Sequence, residues 1–310
     1  MKVTALAGGV GGAKLAHGLA LNLEPSDLTI IVNTADDFEH FGLHISPDLD
    51  TVCYTLAEIA NPQSGWGRSE ESWVTMSELK RLGAPDWFQL GDRDLATHLE
   101  RTRRLKSGES LSQVTAHFCQ IWGIRHPVLP MSDDPVRTWV VSDIGDLPFQ
   151  EYFVRHHFEP AVRDFQFRGM ENAKPAPGVL AALQQADVIL FCPSNPFVSI
   201  DPILAISEIR QACLKKKVIA VSPIVGGKAV KGPAAKMFAE LGISPSPLAV
   251  AQHYAGLIQG FVLDTLDSEW EAEIQLLKMD TLVTNTLMNT AADRYNLAKL
   301  ILMAIEGGLL

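Results

Sequence analysis

The stretch Lys2-Val3-Thr4-Ala5-Leu6-Ala7-Gly8-Gly9-Val10-Gly11-Gly12-Ala13-Lys14-Leu15 changes character halfway along. Its first half is a short apolar run with strand formers. Its second half is a glycine cluster, from which Leu15, Leu19 and Leu23 continue at helical spacing. A strand, a tight turn and a helix are therefore expected in that order. Residues 28–33 supply a second continuous apolar run, the pattern of a strand covered on both faces in a parallel sheet. A βαβ unit opens the chain.

The glycine cluster sits where backbone N–H groups and the positive end of a helix can hold an anion, and glycine lets that backbone approach closely. Counted from Gly9, the third glycine of a dinucleotide fingerprint falls on Lys14. Ala13 and Leu15 stand where a Walker loop has glycine and a hydroxyl. Standard nicotinamide-dinucleotide and P-loop chemistry are not licensed, whereas phosphate binding by Gly8, Gly9, Val10, Gly11, Gly12 and Lys14 is.

Outward from this unit, residues 48–123 read as helices. Leu49, Val52, Leu56 and Ile59 make one apolar stripe, Trp73, Met76 and Leu79 another, and Leu95, Leu99, Thr102 and Leu105 a third. Ser110 and Gln113 have capping-box spacing before a fourth, Leu111, Val114, Phe118 and Ile121. Strand-like segments return at 138–142, 187–192 and 217–222, with connecting helices at 179–184 and 234–241 and a last helix over about 290–305. The expected fold is α/β, a Rossmann-like doubly wound, mainly parallel sheet with a helical insertion. Residues 1–47 and 124–310 form the nucleotide- and phosphate-binding domain and 48–123 the insertion.

Composition narrows the chemistry. A net charge of −10 argues against a polyanion-binding surface, so no nucleic-acid partner is expected. The opening apolar run is too short to span a membrane and lacks a cleavage pattern, which predicts a cytoplasmic protein without a membrane partner. Cys53, Cys119, Cys192 and Cys213 show neither C-x-x-C spacing nor a neighbouring histidine at ligand spacing, so they read as core residues of a reducing compartment. No H-E-x-x-H or G-x-S-x-G motif occurs.

Several polar positions fall at helix starts or at carboxyl edges of strands, where open α/β sheets bind ligands. Asp36 and Asp37 follow the second strand and suit either a metal ion beside phosphate or a solvated turn. In Ser46-Pro47-Asp48-Leu49-Asp50-Thr51, Asp48 reads as a helix cap, while Asp50 is a helix-start acid or a group accepting from a substrate hydroxyl. Asp92 of Gly91-Asp92-Arg93-Asp94 reads as a cap. Arg93 is out of place, because a cation in a first helical turn opposes the dipole, so it either pairs locally or serves a ligand. Pro193-Ser194-Asn195-Pro196 follows one strand and Ile224-Val225-Gly226-Gly227-Lys228 another, giving Ser194, Asn195, Gly226, Gly227 and Lys228 as further phosphate or nucleotide contacts.

The segments MKVTALAGGVGGAKLAHGL, NTADD, ISPDLDTVCYTL, GWGRSEESW, WFQLGDRDLATHL, LSQVTAHF, PMSDD, PSNPFVSIDPIL and SPIVGGKAVKG occur in this order over nearly the whole chain. Together they resemble the 2-phospho-L-lactate transferase (CofD) family of coenzyme F-420 biosynthesis. The resemblance implies a homodimeric, magnesium-dependent transferase that moves a phosphorylated three-carbon acid from a guanosine diphosphate-linked donor to the ribityl hydroxyl of a deazaflavin acceptor, releasing GMP. It implies that Asp50 and Arg93 contact the deazaflavin, that Asp50 is catalytic, that Asp36 and Asp50 are the metal ligands, and that the insertion contributes to the acceptor site. The family's relatives include a YvcK-like branch that binds nucleotide-sugars and acts in regulation, and a member of that kind would bind without turnover.

Overall fold

A computed structural model describes all residues, 1–310. The opening unit comprises β1 (Val3–Ala7), α1 (Gly9–Ala20) and β2 (Leu28–Val32). A hairpin of β3 (Phe38–His40) and β4 (Leu43–Ile45) leads into four helices, α2 (Pro47–Leu56), α3 (Val74–Arg81), α4 (Asp92–Lys106) and α5 (Leu111–Ile121), before β5 (Val128–Pro130). An antiparallel meander follows, β6 (Arg137–Ser142), β7 (Gly145–Pro148) and β8 (Val162–Arg168). The chain then runs through α6 (Val179–Gln185), β9 (Val188–Phe191), α7 (Asp201–Ala205), α8 (Ser207–Cys213) and β10 (Lys217–Val221). A short hairpin of β11 (Ile224–Val225) and β12 (Lys228–Ala229) precedes α9 (Ala234–Glu240), α10 (Pro247–His253), β13 (Gly260–Asp264), α11 (Glu271–Leu276), β14 (Asp280–Thr284) and α12 (Ala291–Glu306).

Seven strands make one sheet in the order β14-β13-β10-β9-β1-β2-β5, and every neighbouring pair is parallel. Because successive side chains of a strand point to opposite faces, the two halves of each apolar run feed different cores. Leu6, Ile31, Ile189 and Phe191 enter one apolar cluster. Val3, Ala5, Ala7, Ile30, Val32, Val188 and Leu190 enter the other, where α1, α2 and α12 cover them. Strand order reverses its direction of growth at β1, so the crevice between the carboxyl ends of β1 and β9 is the topological switch point.

The structure corrects the sequence reading in the sheet. Residues 138–142 form the middle strand of the separate three-stranded meander, ordered β7-β6-β8, and not a strand of the parallel sheet. β5, β13 and β14, which the sequence reading does not assign, complete the sheet instead. α2 also lies against α1, with Leu49, Val52 and Cys53 in the cluster that α1 occupies, so it is continuous with the sheet's own covering layer. All four cysteines are free and buried. No helix is long and apolar enough to cross a membrane.

α1 and α12 touch at Gly18, where an added Cβ would collide with the carbonyl of Arg294 and stand 3.2 Å from the Cβ of Ala298. Only the missing side chain permits that approach. Gly18→Ala is expected to destabilise the fold by about 1–3 kcal/mol through overpacking, measured as a fall in Tm; an unchanged Tm would mean that the two helices slide apart at no cost.

Candidate active site

The crevice at the switch point is built by close backbone approach. At its floor, the Ser194 hydroxyl donates to the carbonyl of Gly8 at 2.8 Å and accepts from the N–H of Gly8 at 3.1 Å. A Cβ on Gly11 would strike the carbonyl of Pro193, and one on Gly12 would stand 2.5 Å from Oγ of Ser194. Gly9, at φ +61°, adopts the left-handed region that an L side chain rarely enters. The glycines therefore bring the start of α1 against the loop after β9.

A third element closes the crevice. Asp48, in the first turn of α2, accepts from the N–H of Gly9 at 2.8 Å on one carboxylate oxygen and from Nδ2 of Asn33 at 3.0 Å on the other. Asn33 also donates to the carbonyl of Val198 at 3.1 Å. The carboxylate read from sequence as a cap for its own helix thus ties α2 to α1 and to the end of β2. The N–H groups of Val10 and Gly11 precede the first residue that can bond within the helix, and no protein acceptor faces them. They are open donors at the positive end of α1, where an anion is favoured, and make a candidate anion cradle.

Beside this cradle lies a buried acidic group. Asp36, Asp37 and Asp48 are each less than a tenth exposed, and Oδ1 of both Asp36 and Asp37 has no hydrogen-bond partner. Burial first, and the Asp48 carboxylate second, push Asp36 well above the ordinary carboxylate range. Burial raises Asp48 to about 6, against bonds from Asn33 and Gly9 that favour its charged form. Asp37 accepts from the Ser46 hydroxyl at 2.8 Å and lies 2.9 Å from Nε2 of His44. Asp36, Asp37 and His44 border a cleft of about 350 Å³, walled by Phe38, Trp139 and Phe149. The Oδ1 atoms of Asp36 and Asp37 are thus buried without a donor while the Asp48 carboxylate adds like charge, a combination that favours protonation or a cation.

Asp50 sits elsewhere in the electrostatic plan. Both Nη groups of the buried Arg101 donate to its carboxylate, and Nη1 also bonds Nδ1 of His98 at 3.0 Å. That bond leaves the ring proton on Nε2, 3.4 Å from Oδ1 of Asp94, which accepts from the Tyr54 hydroxyl at 2.7 Å. Asp50, Asp94 and His98 could by spacing hold a metal, but the Arg101 guanidinium already supplies a positive charge there. Of the acids singled out from sequence, the structure sets Asp48 rather than Asp50 beside Asp36.

The remaining predicted residues divide. Lys14 projects from the second turn of α1, and burial and then the charges of Arg294 and Lys231 lower its pKa. The side chain of Asn195 accepts from the N–H of Phe197 at 3.1 Å and so shapes its own turn. Gly226 and Gly227, at φ +58° and +70°, are the two central residues of the β11–β12 hairpin, the geometry of a type I′ turn. The N–H of Gly226 is held by the Asp267 carboxylate at 2.9 Å and Lys228 is exposed. That turn's glycines are accounted for by the hairpin, and its first amide is not open to a phosphate.

At the α4 start, the expected cap is exchanged between helices. Asp92 accepts from the N–H groups of Val74 and Thr75, both at 3.0 Å, so it caps α3. Glu71, just before α3, accepts from the N–H groups of Arg93 and Asp94 at 2.7 and 2.8 Å and so caps α4. Arg93 makes an exposed ion pair with Glu70 at 3.0 Å. Such a pair contributes little and a ligand can displace it cheaply.

Since Asp48 has its pKa near 6 in the fold and near 3.8 otherwise, the folded chain binds more protons than the unfolded one between those values, and stability falls as pH rises through that window. The metal-free chain is expected to melt higher at pH 5 than at pH 7.5, by roughly 5 °C. Magnesium is expected to recover the difference at pH 7.5, and Asp48→Asn to flatten the profile. A Tm insensitive to both pH and metal in calorimetry would remove the cation site.

Comparison with known proteins places the chain in a family. The family described as 2-phospho-L-lactate transferase CofD matches residues 3–300. A phosphoenolpyruvate transferase of Kitasatospora aureofaciens is 46% identical over 284 residues, 89% of this chain and 88% of that one. A 2-phospho-L-lactate transferase of Methanosarcina mazei is 38% identical over 297 residues, 96% of this chain and 98% of that one. The crystal structure of a UPF0052 family member from Bacillus halodurans superposes with a TM-score of 0.64 at 15% identity, covering 97% of this chain and 99% of that one, a likeness of fold. With the family's pattern running from the first strand into the last helix, and relatives of this identity along almost their whole length, the chain belongs to the CofD family of transferases that serves coenzyme F-420 biosynthesis.

Proposed function

We propose that the chain joins a phosphorylated three-carbon acid, carried on a guanosine diphosphate-linked donor, to the ribityl hydroxyl of 7,8-didemethyl-8-hydroxy-5-deazariboflavin, with release of GMP. The observation that carries the reading is the Asp48 junction: one carboxylate adjoins an amide cradle for phosphate on one side and a buried acidic group with unmet oxygens on the other. The diphosphate lies on the N–H groups of Val10 and Gly11. The acceptor hydroxyl attacks the phosphorus bearing the three-carbon acid in line with the departing GMP, forming a phosphodiester. Positioning and fixed dipoles account for most of the acceleration, because the loop amides are set before substrate arrives.

Asp36 and Asp48, with Asp37 adjoining, are the residues that would hold magnesium, whose contribution when bound is neutralising charge on the transferring phosphate. Asp50 orients the acceptor. A carboxylate has about four acceptor positions and Arg101 fills only part of them, so Asp50 retains capacity for the hydroxyl and, with burial raising its pKa against the Arg101 charge, takes up that hydroxyl's proton as the new bond to phosphorus forms. Arg93, at the exposed start of α4, meets the acceptor by exchanging Glu70 for it. The helical segment 48–123 thereby serves the acceptor side and the sheet's switch point the donor side, and a homodimer in the cytoplasm is the form proposed for the enzyme. Relatives named phosphoenolpyruvate transferase are 40–46% identical and those named 2-phospho-L-lactate transferase 37–38%, which favours an enolpyruvyl donor.

Purified chain, the deazaflavin, magnesium and competing lactyl and enolpyruvyl donors are expected to yield GMP and a phosphodiester product by mass spectrometry, with the enolpyruvyl product in excess. Asp48→Asn is expected to lower kcat by roughly 10²–10³-fold, the scale of losing one fixed group at a charged transition state. Tight GDP binding without any product would instead identify a nucleotide-binding protein without turnover.

A further inference from the structure

α4 presents Asp94, His98 and Arg101 at positions i, i+4 and i+7, which share one helical face, and α2 presents Asp50 and Tyr54 at i and i+4. The two faces meet through these side chains. Both Nη groups of Arg101 donate to the Asp50 carboxylate, Nη1 to Oδ2 at 3.1 Å, and Nη1 also donates to Nδ1 of His98 at 3.0 Å. Nε2 of His98 stands 3.4 Å from Oδ1 of Asp94, the oxygen that accepts from the Tyr54 hydroxyl. Tyr54, His98, Arg101 and Asp50 are all less than a tenth exposed.

Such a seam is an expensive way to hold two helices together. A buried ion pair recovers its desolvation cost only with near-ideal geometry, and packed apolar side chains of similar volume often hold as well or better. Nε2 of His98 is moreover buried without a hydrogen-bond partner, a further cost. What the polar seam supplies, and an apolar one does not, is direction. The guanidinium is a planar fork whose two donors meet the two carboxylate oxygens at once, so it fixes the plane of the Asp50 carboxylate. No other group donates to that carboxylate, which leaves its remaining acceptor positions facing away from the fork. Arg101 has a long side chain that needs a second hold, and Nδ1 of His98, with the carbonyl of His44 at 3.4 Å, provides it.

We propose that Arg101 is a positioning residue for the transfer reaction, with His98 as the group that seats it: together they hold the Asp50 carboxylate in the orientation that meets the acceptor hydroxyl. The assignment rests on the role given to Asp50 above and extends it to two residues that act through Asp50. It also gives a task to His98 of the segment GDRDLATHL, for which the reaction has no other use. Because Arg93 and Asp94 are neighbours in the first turn of α4, the same seam sets the spacing between Arg93 on that helix and Asp50 on α2.

Steady-state transfer by the full chain, with the deazaflavin varied and Tm recorded alongside, tests this in wild type, Arg101→Lys, His98→Leu and His98→Asn. Arg101→Lys keeps the buried charge but does not engage both oxygens as a fork. It is expected to lower kcat at least about tenfold, because small misplacements of a reacting group are costly, while KM for the deazaflavin changes less than about threefold. His98→Leu removes an acceptor from Nη1 and should lower kcat in the same way with Tm close to wild type. His98→Asn, whose side-chain oxygen can stand near the place of Nδ1, should recover most of that loss. A merely structural seam gives a different pattern, with Tm falling alongside kcat in Arg101→Lys and His98→Leu. That pattern, a KM that rises as much as kcat falls, or an Asn variant no better than Leu overturns the assignment. Product made alike by wild type and all variants removes the positioning role and leaves the transferase reading standing, whereas wild type without product removes both.

Discussion

The bond from the Gly9 N–H to the Asp48 carboxylate is the joint on which the crevice depends. It fixes a helix start of α2 against the helix start of α1, with Asn33 of the β2 edge holding the other oxygen. A charged group buried at this position is costly in water-free surroundings, and the raised pKa records that cost. The residue is kept in its place by glycine on the opposite side, since a Cβ on Gly8 would stand 2.5 Å from its Oδ2. Absence of side chain in the loop and presence of a carboxylate in the helix are one design.

How far the sequence could be read follows from the range of each determining contact. The opening βαβ unit was legible because its signals are local: an apolar run, a glycine cluster and a 3.6-residue period within one short stretch. The last helix and the α5 cap were legible for the same reason, Ser110 and Gln113 completing their capping box as spaced. Residues 138–142 have the pattern of a strand, but the choice between the parallel sheet and a meander is made by their partners β7 and β8, which periodicity cannot name. β13 and β14 have five residues each, as β1 and β2 do, but no glycine cluster and helical period follow them to mark a strand-turn-helix unit.

The site divides similarly. The glycine cradle and the loop at Ser194 were found because strand ends in an open sheet are where ligands bind. Asp48 was read as a local cap and Asp50 as the functional acid, since both stand in a first helical turn and only tertiary contacts distinguish them: Gly9 and Asn33 for one, Arg101 for the other. The Gly226-Gly227 pair carried a usable clue, because two glycines between apolar pairs signal a two-residue hairpin as readily as an anion loop. Nothing in the sequence marks Arg101 as the partner of a distant group.

The exchange of caps between α3 and α4 has a bearing on how this part of the chain moves. α3 is a helix of eight residues, too short to persist in water by its own propensity. Its first amides depend on Asp92, which is in place only when α4 has begun, and the first amides of α4 depend on Glu71, which is in place only when α3 has begun. Neither helix can fray at its start without releasing the other. The two therefore open and close as a single cooperative unit, and Arg93, seated at that shared boundary, is presented or withdrawn with it.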